Sequence, residues 1–129
     1  MMTNSAAAVL VLVLMFQVKH FICDGPLQTK TMVLSKSNYG DGQGVLHAAN
    51  HGLGTLIVVA LFGLGWPVAL VLAALDGVIH YHVDFTKENI VKRAGWTVQN
   101  REFWWALTAD QFLHNLTYIA LMALAIWVF

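Results

Sequence analysis

The part of the chain that decides the fold is residues 45–84, which read VLHAANHGLGTLIVVALFGLGWPVALVLAALDGVIHYHVD. Two apolar blocks are separated there by residues 63–67, Gly-Leu-Gly-Trp-Pro. Each block approaches the roughly 20 residues that an α-helix needs to cross about 30 Å of hydrocarbon. Glycine often ends a helix and proline is favoured in the first turn of the next. The stretch therefore predicts two membrane-spanning helices, at about 45–65 and 67–85, joined as a tight antiparallel hairpin.

Apolar blocks on either side of this hairpin predict two further helices, at about 5–23 and 103–128. In the chain of 129 residues, 58% are hydrophobic and 11% are charged, whereas a soluble domain is roughly half apolar and about a quarter charged. The predicted fold class is therefore all-α integral membrane, with one antiparallel bundle of four transmembrane helices over residues 1–129. A cleaved signal peptide is the alternative for the first block, but residues 1–5 carry no Lys or Arg.

The cations all lie on the side of the two long polar connections, between the first and second and between the third and fourth predicted spans. They are Lys19, Lys30, Lys36, Lys87, Lys92, Arg93 and Arg101. The positive-inside rule then predicts cytoplasmic loops and places both termini outside. A formal net charge of zero excludes nucleic-acid binding driven by overall basicity. A single cysteine, Cys23, excludes an intramolecular disulfide and a Cys-rich zinc site.

Histidine and aspartate residues recur at a spacing of four. The chain has six His and five Asp, and nine of these eleven residues form such pairs. Residues i and i+4 lie on one helix face, one turn apart, so each pair can direct two ligand atoms to the same point. The pairs are His20 with Asp24, His47 with His51, Asp76 with His80, His80 with Asp84, and Asp110 with His114.

All five pairs fall at the same, cytoplasmic level of an up-down-up-down bundle, and every predicted helix carries at least one. Ionisable groups in a membrane helix face the interior and pair with one another, because facing lipid costs several kcal/mol. Imidazole and carboxylate groups together, without thiolates, are typical of Zn, Mn or Fe ligands. Since nine ligands exceed what one ion can use, we expect two divalent metal ions. A hydrogen-bonded polar core that only holds the helices together is the alternative.

Other polar residues receive secondary assignments. His82 lies off the face that His80 and Asp84 share, and Asp41 lies in a loop, so neither is predicted to be a ligand. Tyr81 and Tyr118 can lie near the site, but a role in packing or at the membrane interface is favoured for both. Hydrogen bonds that orient the ligands are predicted from the amides Gln28, Asn50, Gln111 and Asn115.

Several segments resemble, in order and over nearly the whole chain, a family of small bacterial and phage membrane proteins catalogued as domain of unknown function 3307. They are residues 19–28 from Lys-His-Phe to Pro-Leu-Gln, His47 to His51, Asp76 to Lys87, and residues 103–114 from Phe-Trp-Trp to Leu-His. The resemblance implies the four-span plan, the polar positions as a set, and a bacterial inner membrane that receives a host- or phage-encoded chain. It implies no activity. Residues 84–87, Asp-Phe-Thr-Lys, differ slightly from the Asp-Arg-x-Lys of that family.

Three classes of function compete. The first is a membrane-embedded metal-dependent hydrolase, acting on a phosphate-bearing or lipid-linked substrate that the loop cations attract, with Asp24, Asp84 and Asp110 as candidate general bases. The second is a redox enzyme with di-iron, copper or bis-histidine haem, although the helices lack the Glu-x-x-His pairs of carboxylate-bridged di-iron bundles. The third is a transporter of divalent metal or protons, which the apolar outer halves of the helices disfavour. A structural membrane protein with a polar core is the remaining alternative.

Overall fold

The computed structural model describes residues 6–127, and over these residues the protein is all-helical, with no strand. The predicted limits at residues 5 and 128 lie outside the described part. Three helices, the first, third and fourth below, are long and apolar enough to cross a membrane. The five helices of the described part are α1 (Ala6–Asp24), α2 (Lys30–Ser35), α3 (Gly42–Leu61), α4 (Trp66–Ala94) and α5 (Arg101–Trp127).

The helix limits differ from the predicted ones at α3 and α4. The third helix begins three residues early because the Asp41 side chain caps it, accepting a hydrogen bond from the amide of Gln43. The fourth helix continues nine residues past the predicted limit, since residues 86–94 contain neither glycine nor proline. It ends where Gly95 adopts the left-handed conformation, with φ of 66°. The connection between α1 and α3, predicted as a loop, contains the short helix α2.

The turn between α3 and α4 lies where the sequence predicts it. Gly63 and Gly65 have φ of 86° and 87°, a conformation that glycine adopts at little cost. The fourth helix begins at Trp66, so Pro67 occupies its first turn. The chain thus reverses within a few residues, and α3 packs along α4.

Contacts between the long helices pair residues in opposite chain order. Along α3 and α4, the imidazoles of His47 and His80 meet near one end, and Thr55 and Asp76 meet further along. Gly52 allows this close approach, because a Cβ atom at that position would lie 2.9 Å from the carbonyl oxygen of Ala73. The first helix packs in the same way against α3 and α5.

Apolar residues form both the core and much of the surface. The buried cluster lies toward the α3–α4 turn and includes Leu12, Phe16, Val59, Leu72 and Tyr118. Large apolar side chains such as those of Leu10, Leu61, Trp66, Leu70 and Ile119 are exposed around the helices. An apolar surface of this extent suits contact with hydrocarbon rather than with water.

Candidate metal centre

A layer of buried imidazoles and carboxylates joins α1, α3, α4 and α5. The four-residue spacing predicted from the sequence places each pair on one helix face, and the packed helices turn these faces toward one another. The side chains of His47, His51, His80 and His114 are at most 1% exposed. The rings of His51 and His80 stack at 3.5 Å, and those of His80 and His114 stack at 4.0 Å.

The first group of candidate ligands consists of Asp24, His47, His51 and His80. One ligand atom from each lies within 4.8 Å of the others. Oδ1 of Asp24 is 2.9 Å from Nε2 of His51 and 3.3 Å from Nε2 of His47. The Nε2 atoms of His47 and His80 are 3.2 Å apart. Three imidazoles and one carboxylate that converge in this way match the ligand number of a tetrahedral zinc site.

The second group consists of His80, Asp84 and His114, and it shares His80 with the first. Asp84 spans both groups. Its Oδ2 is 3.3 Å from Nε2 of His47 and from Nε2 of His80, and its Oδ1 is 3.4 Å from Nε2 of His114. Asp110 extends the second group, since its Oδ1 also lies 3.4 Å from Nε2 of His114. A carboxylate with each oxygen facing a different set of histidines is suited to bridge two ions.

Several atoms of this layer are buried and have no hydrogen-bond partner among the described residues: His47 Nδ1, His80 Nδ1, Asp110 Oδ1 and His114 Nε2. An unpaired buried polar atom costs about 1–3 kcal/mol, so such atoms are rare in folded proteins. His114 Nε2 and Asp110 Oδ1 face each other without hydrogen-bond geometry. A cation that both atoms ligate would satisfy them, so the residues present fit a metal ion.

His20, predicted to be a ligand, lies beside the two groups and belongs to neither. Its Nε2 is 2.7 Å from Oε1 of Gln111 and 3.1 Å from Oδ2 of Asp24. Its Nδ1 is 2.7 Å from the hydroxyl of Tyr118. Because an amide oxygen only accepts, Nε2 donates to Gln111.

Asp76 is also placed outside both groups, one level further toward the α3–α4 turn. Its Oδ2 accepts hydrogen bonds from Nζ of Lys19 and from the Thr55 hydroxyl, both at 2.5 Å. The Lys19 ammonium also lies 4.5 Å from the centre of the Tyr118 ring. Lys19 is therefore buried, although the sequence counts it among the loop cations.

Of the four amide residues predicted to orient the ligands, two contact a predicted ligand residue through their side chains and two do not. Gln111 contacts His20 directly, and Gln28 donates to the backbone carbonyl of Asp24 at 2.9 Å. Asn115 instead bonds Gln17 and the backbone of Gln111. Asn50 contacts Cys23 through its backbone carbonyl, which accepts a hydrogen bond from the Cys23 thiol at 3.5 Å.

The predicted non-ligands lie away from both groups. Asp41 caps α3. His82 is exposed, and its ring contacts the hydroxyl of Tyr39 and the carbonyl of Val78.

Sequence reasoning missed Lys36 and Lys19 at or next to the site, and for Tyr118 it allowed a place near the site but favoured packing or the membrane interface. Lys36 enters from the end of α2, and its Nζ lies 2.9 Å from Oδ2 of Asp84. Lys19 and Tyr118 pack just beyond the histidines. Tyr118 lies four residues after His114, as His114 does after Asp110, so the same spacing predicts that all three share one face of α5. No comparable signal exists for Lys36, because its position depends on how the α1–α3 connection folds back.

An apolar groove of about 780 Å³ runs between α4 and α5 and reaches Asp110. Val78, Ile79 and Leu113 line its inner part, and Lys87 and Glu102 are among its charged residues. The groove gives this edge of the site an apolar approach.

Fold and site together define an all-helical protein with three helices able to span a membrane and a buried His/Asp cluster able to hold metal. Residues 10–129 match the family described as "Protein of unknown function (DUF3307)", and the chain belongs to that family. This confirms the resemblance seen in the sequence. No curated protein and no solved structure matches the chain significantly.

Proposed function

We propose that the chain is an integral membrane metalloprotein that holds two divalent ions, Zn, Mn or Fe, and acts as a metal-dependent hydrolase. The observation that carries this proposal is the convergence of two ligand groups, linked by His80 and Asp84, next to two facing buried atoms, His114 Nε2 and Asp110 Oδ1, that have no hydrogen-bond partner among the described residues. A structural polar core would be expected to satisfy its own hydrogen bonds.

The proposal includes four crossings, with α5 as the fourth. Its first half carries Asp110, Gln111 and His114, which lower its mean hydropathy, yet Asp110 and His114 are buried against the other helices. The surface left to the bilayer is apolar, with Phe112, Leu116 and Ile119 exposed. The loops then lie on the cytoplasmic side of the inner membrane, and the α3–α4 turn lies outside with both termini.

The burial of two lysines changes the charge argument for this orientation. Lys19 and Lys36 are buried and paired with aspartates, and Lys87 pairs with Glu88. The exposed cations are Lys30, Lys92, Arg93 and Arg101. All four still belong to the loop side, so the positive-inside argument keeps its direction.

The ligand set favours hydrolysis. Two divalent ions held by these histidines and aspartates would supply the Lewis-acid chemistry that activates water at neutral pH. Asp24 is the most exposed of the three candidate bases, with a side-chain exposure of 19%. Its Oδ2 faces His20, which Gln111 and Tyr118 hold in place, so this carboxylate oxygen is positioned to act as the general base that accepts a proton from water.

A transport role has less support, because the polar interior stops within the bundle. Among the described residues it continues beyond the histidines only to Lys19, Thr55 and Asp76, where Oδ2 of Asp76 accepts from the other two and Oδ1 of Asp76 is buried without a hydrogen-bond partner. Past these residues the described core is apolar, with Leu12, Phe16 and Leu72 nearly inaccessible. A polar site that reaches only one end of the bundle suits catalysis better than the transport of metal ions or protons across the membrane.

The test is to purify the protein in detergent without added metal, count bound metal by elemental mass spectrometry, and record an optical spectrum. We expect about two equivalents of Zn, Mn or Fe per chain and hydrolysis of p-nitrophenyl phosphate. His51→Ala removes a ligand of the first group and Asp110→Asn alters one of the second, so each should lose at least one equivalent. His82→Ala and Asp41→Asn, which alter the same residue types outside the groups, should keep the full count.

Absence of metal, even after reconstitution, would contradict the metal centre. A full metal count in both His51→Ala and Asp110→Asn would do the same. A strong visible absorption band in a preparation without hydrolase activity would replace the hydrolase with a redox enzyme.

A further inference from the structure

Lys36 places an ammonium group directly at the proposed metal centre. The residue follows the last turn of α2 and is only 8% exposed. Its Nζ lies 2.9 Å from Oδ2 of Asp84 and donates to Oε1 of Gln28 at 2.7 Å. Asp84 Oδ2 is the same oxygen that faces His47 and His80. A fixed cation therefore borders the position where the two ions are proposed to bind.

The ammonium is linked to the most exposed part of the site through one amide side chain. Gln28, its neighbour, also donates to the backbone carbonyl of Asp24, and Asp24 is the most exposed of the clustered ligands. The opposite side is closed by Lys19 and Asp76, which neutralise each other. A molecule that enters beside Asp24 is thus one side chain, Gln28, away from the Lys36 ammonium.

The charges of the loaded site do not balance without a further anion. Two divalent ions and Lys36 bring five positive charges, and the carboxylates of Asp24, Asp84 and Asp110 bring three negative ones. Uncompensated charge in a buried site costs several kcal/mol. An entering group that carries two negative charges would complete the balance.

We propose that Lys36 is the anion-recognising residue of this site and that its ligand is the dianionic phosphoryl group of a phosphate monoester. The proposal rests on the metal-dependent function above and names its substrate class. A phosphoryl group carries the required charge, and its several oxygens would let one of them accept a hydrogen bond from the Lys36 ammonium while others face the proposed ions. Lysine binds phosphate as a point charge, through charge-assisted hydrogen bonds.

The phosphate monoester can come from two sources, a soluble compound or a lipid. A soluble ester would enter beside Asp24. A lipid such as phosphatidic acid would place its chains in the bilayer or in the apolar groove that reaches Asp110. Both sources present the same terminal phosphoryl group to Lys36.

The experiment measures the binding of inorganic phosphate to the manganese-loaded protein by isothermal titration calorimetry, in nanodiscs of phosphatidylcholine. We expect Lys36→Met to raise the Kd for phosphate at least tenfold while the manganese count stays at the wild-type value. Lys36→Arg, which keeps the charge, should restore much of the binding. Lys30→Met is the matched control, because Lys30 is exposed on the same short helix, and it should bind phosphate like the wild type.

Competition then separates the two sources. Displacement of phosphate by phosphatidic acid in the nanodisc supports a lipid monoester, and displacement by glycerol 3-phosphate supports a soluble one. If neither competes, the monoester class is wrong.

The experiment separates failure of the Lys36 proposal from failure of the metal-centre proposal. Wild-type protein that binds manganese but not phosphate, or a Lys36→Met variant with an unchanged Kd, would overturn the role of Lys36 and leave the metal centre standing. Loss of manganese from Lys36→Met would make Lys36 a structural partner of Asp84 instead. A wild-type protein without manganese would refute both proposals.

Discussion

Asp76 and Lys19 form a buried ion pair whose atoms lie 2.5 Å apart, in the interior between α1 and α4. Asp76 lies four residues before His80 and shares its helix face, so its spacing alone makes it look like the other ligands. The position of Asp76 in the bundle decides its partner. One turn before His80, nearer the α3–α4 turn, the facing helices present Lys19 and Thr55 rather than histidines. Its carboxylate is thus already neutralised within the protein.

At the scale of single residues, Asp76→Asn should leave the number of bound metal ions unchanged and should destabilise the protein. The substitution removes the charge partner of Lys19, and breaking a buried pair from one side costs about 3–5 kcal/mol. Elemental mass spectrometry gives the metal count, and thermal unfolding in detergent, followed by circular dichroism, gives the stability.

The double variant Lys19→Met with Asp76→Asn is the control, since it removes both charges and should recover part of the lost stability. Loss of metal from a folded Asp76→Asn variant would instead return Asp76 to the ligands.

At the scale of elements, the pairing of α3 with α4 depends on a close approach at Gly52. A methyl group there would lie 2.9 Å from the backbone oxygen of Ala73, which cannot move without shifting α4. Because His47 and His51 lie on α3 and His80 and Asp84 on α4, the spacing of these two helices sets the spacing of both ligand groups.

Gly52→Ala should therefore lower the free energy of unfolding by about 1–3 kcal/mol, as overpacked interiors do. It should also weaken metal binding, because the two helices are forced apart. Thermal unfolding and metal titration are the measurements.

Gly42→Ala provides the matched comparison. A Cβ atom on Gly42 meets nothing within 4 Å, and alanine favours the helix. It should be neutral or stabilising. Equal effects at both positions would show that helix propensity, not the close approach, governs the result.

At the scale of the whole molecule, the four long helices and their connections predict an arrangement across the membrane. The four crossings proposed above would put the α3–α4 turn on one side and the α4–α5 connection on the other. Cys23 is buried, so replacing it with alanine gives a background in which an introduced cysteine reports its own side.

In that background, Leu64→Cys should react with a membrane-impermeant maleimide only from outside the cell. Gln99→Cys should react only in inverted vesicles. The reversed pattern would invert the orientation, and labelling of both from the same side would contradict an odd number of crossings between them.

The sequence by itself determined the features that depend on neighbours along the chain. The apolar blocks predicted the long helices to within a few residues, except at the end of α4, because helix-forming and apolar character are local. The four-residue spacing put each His/Asp pair on one face for the same reason. Asp24, His47, His51, His80, Asp84 and His114, which the structure gathers into two groups, were all among the nine predicted ligands.

Only the tertiary structure decided which members of that set meet and what else joins them. The rotation and depth of each helix bring Asp24 to His51 and Asp84 to His114 but direct Asp76 to Lys19 and His20 to Gln111 and Tyr118. Lys36 reaches Asp84 because α2 folds back over the end of α3, a contact between distant parts of the chain. Periodicity specifies the face of a helix, whereas the partner of that face depends on packing that no local pattern contains.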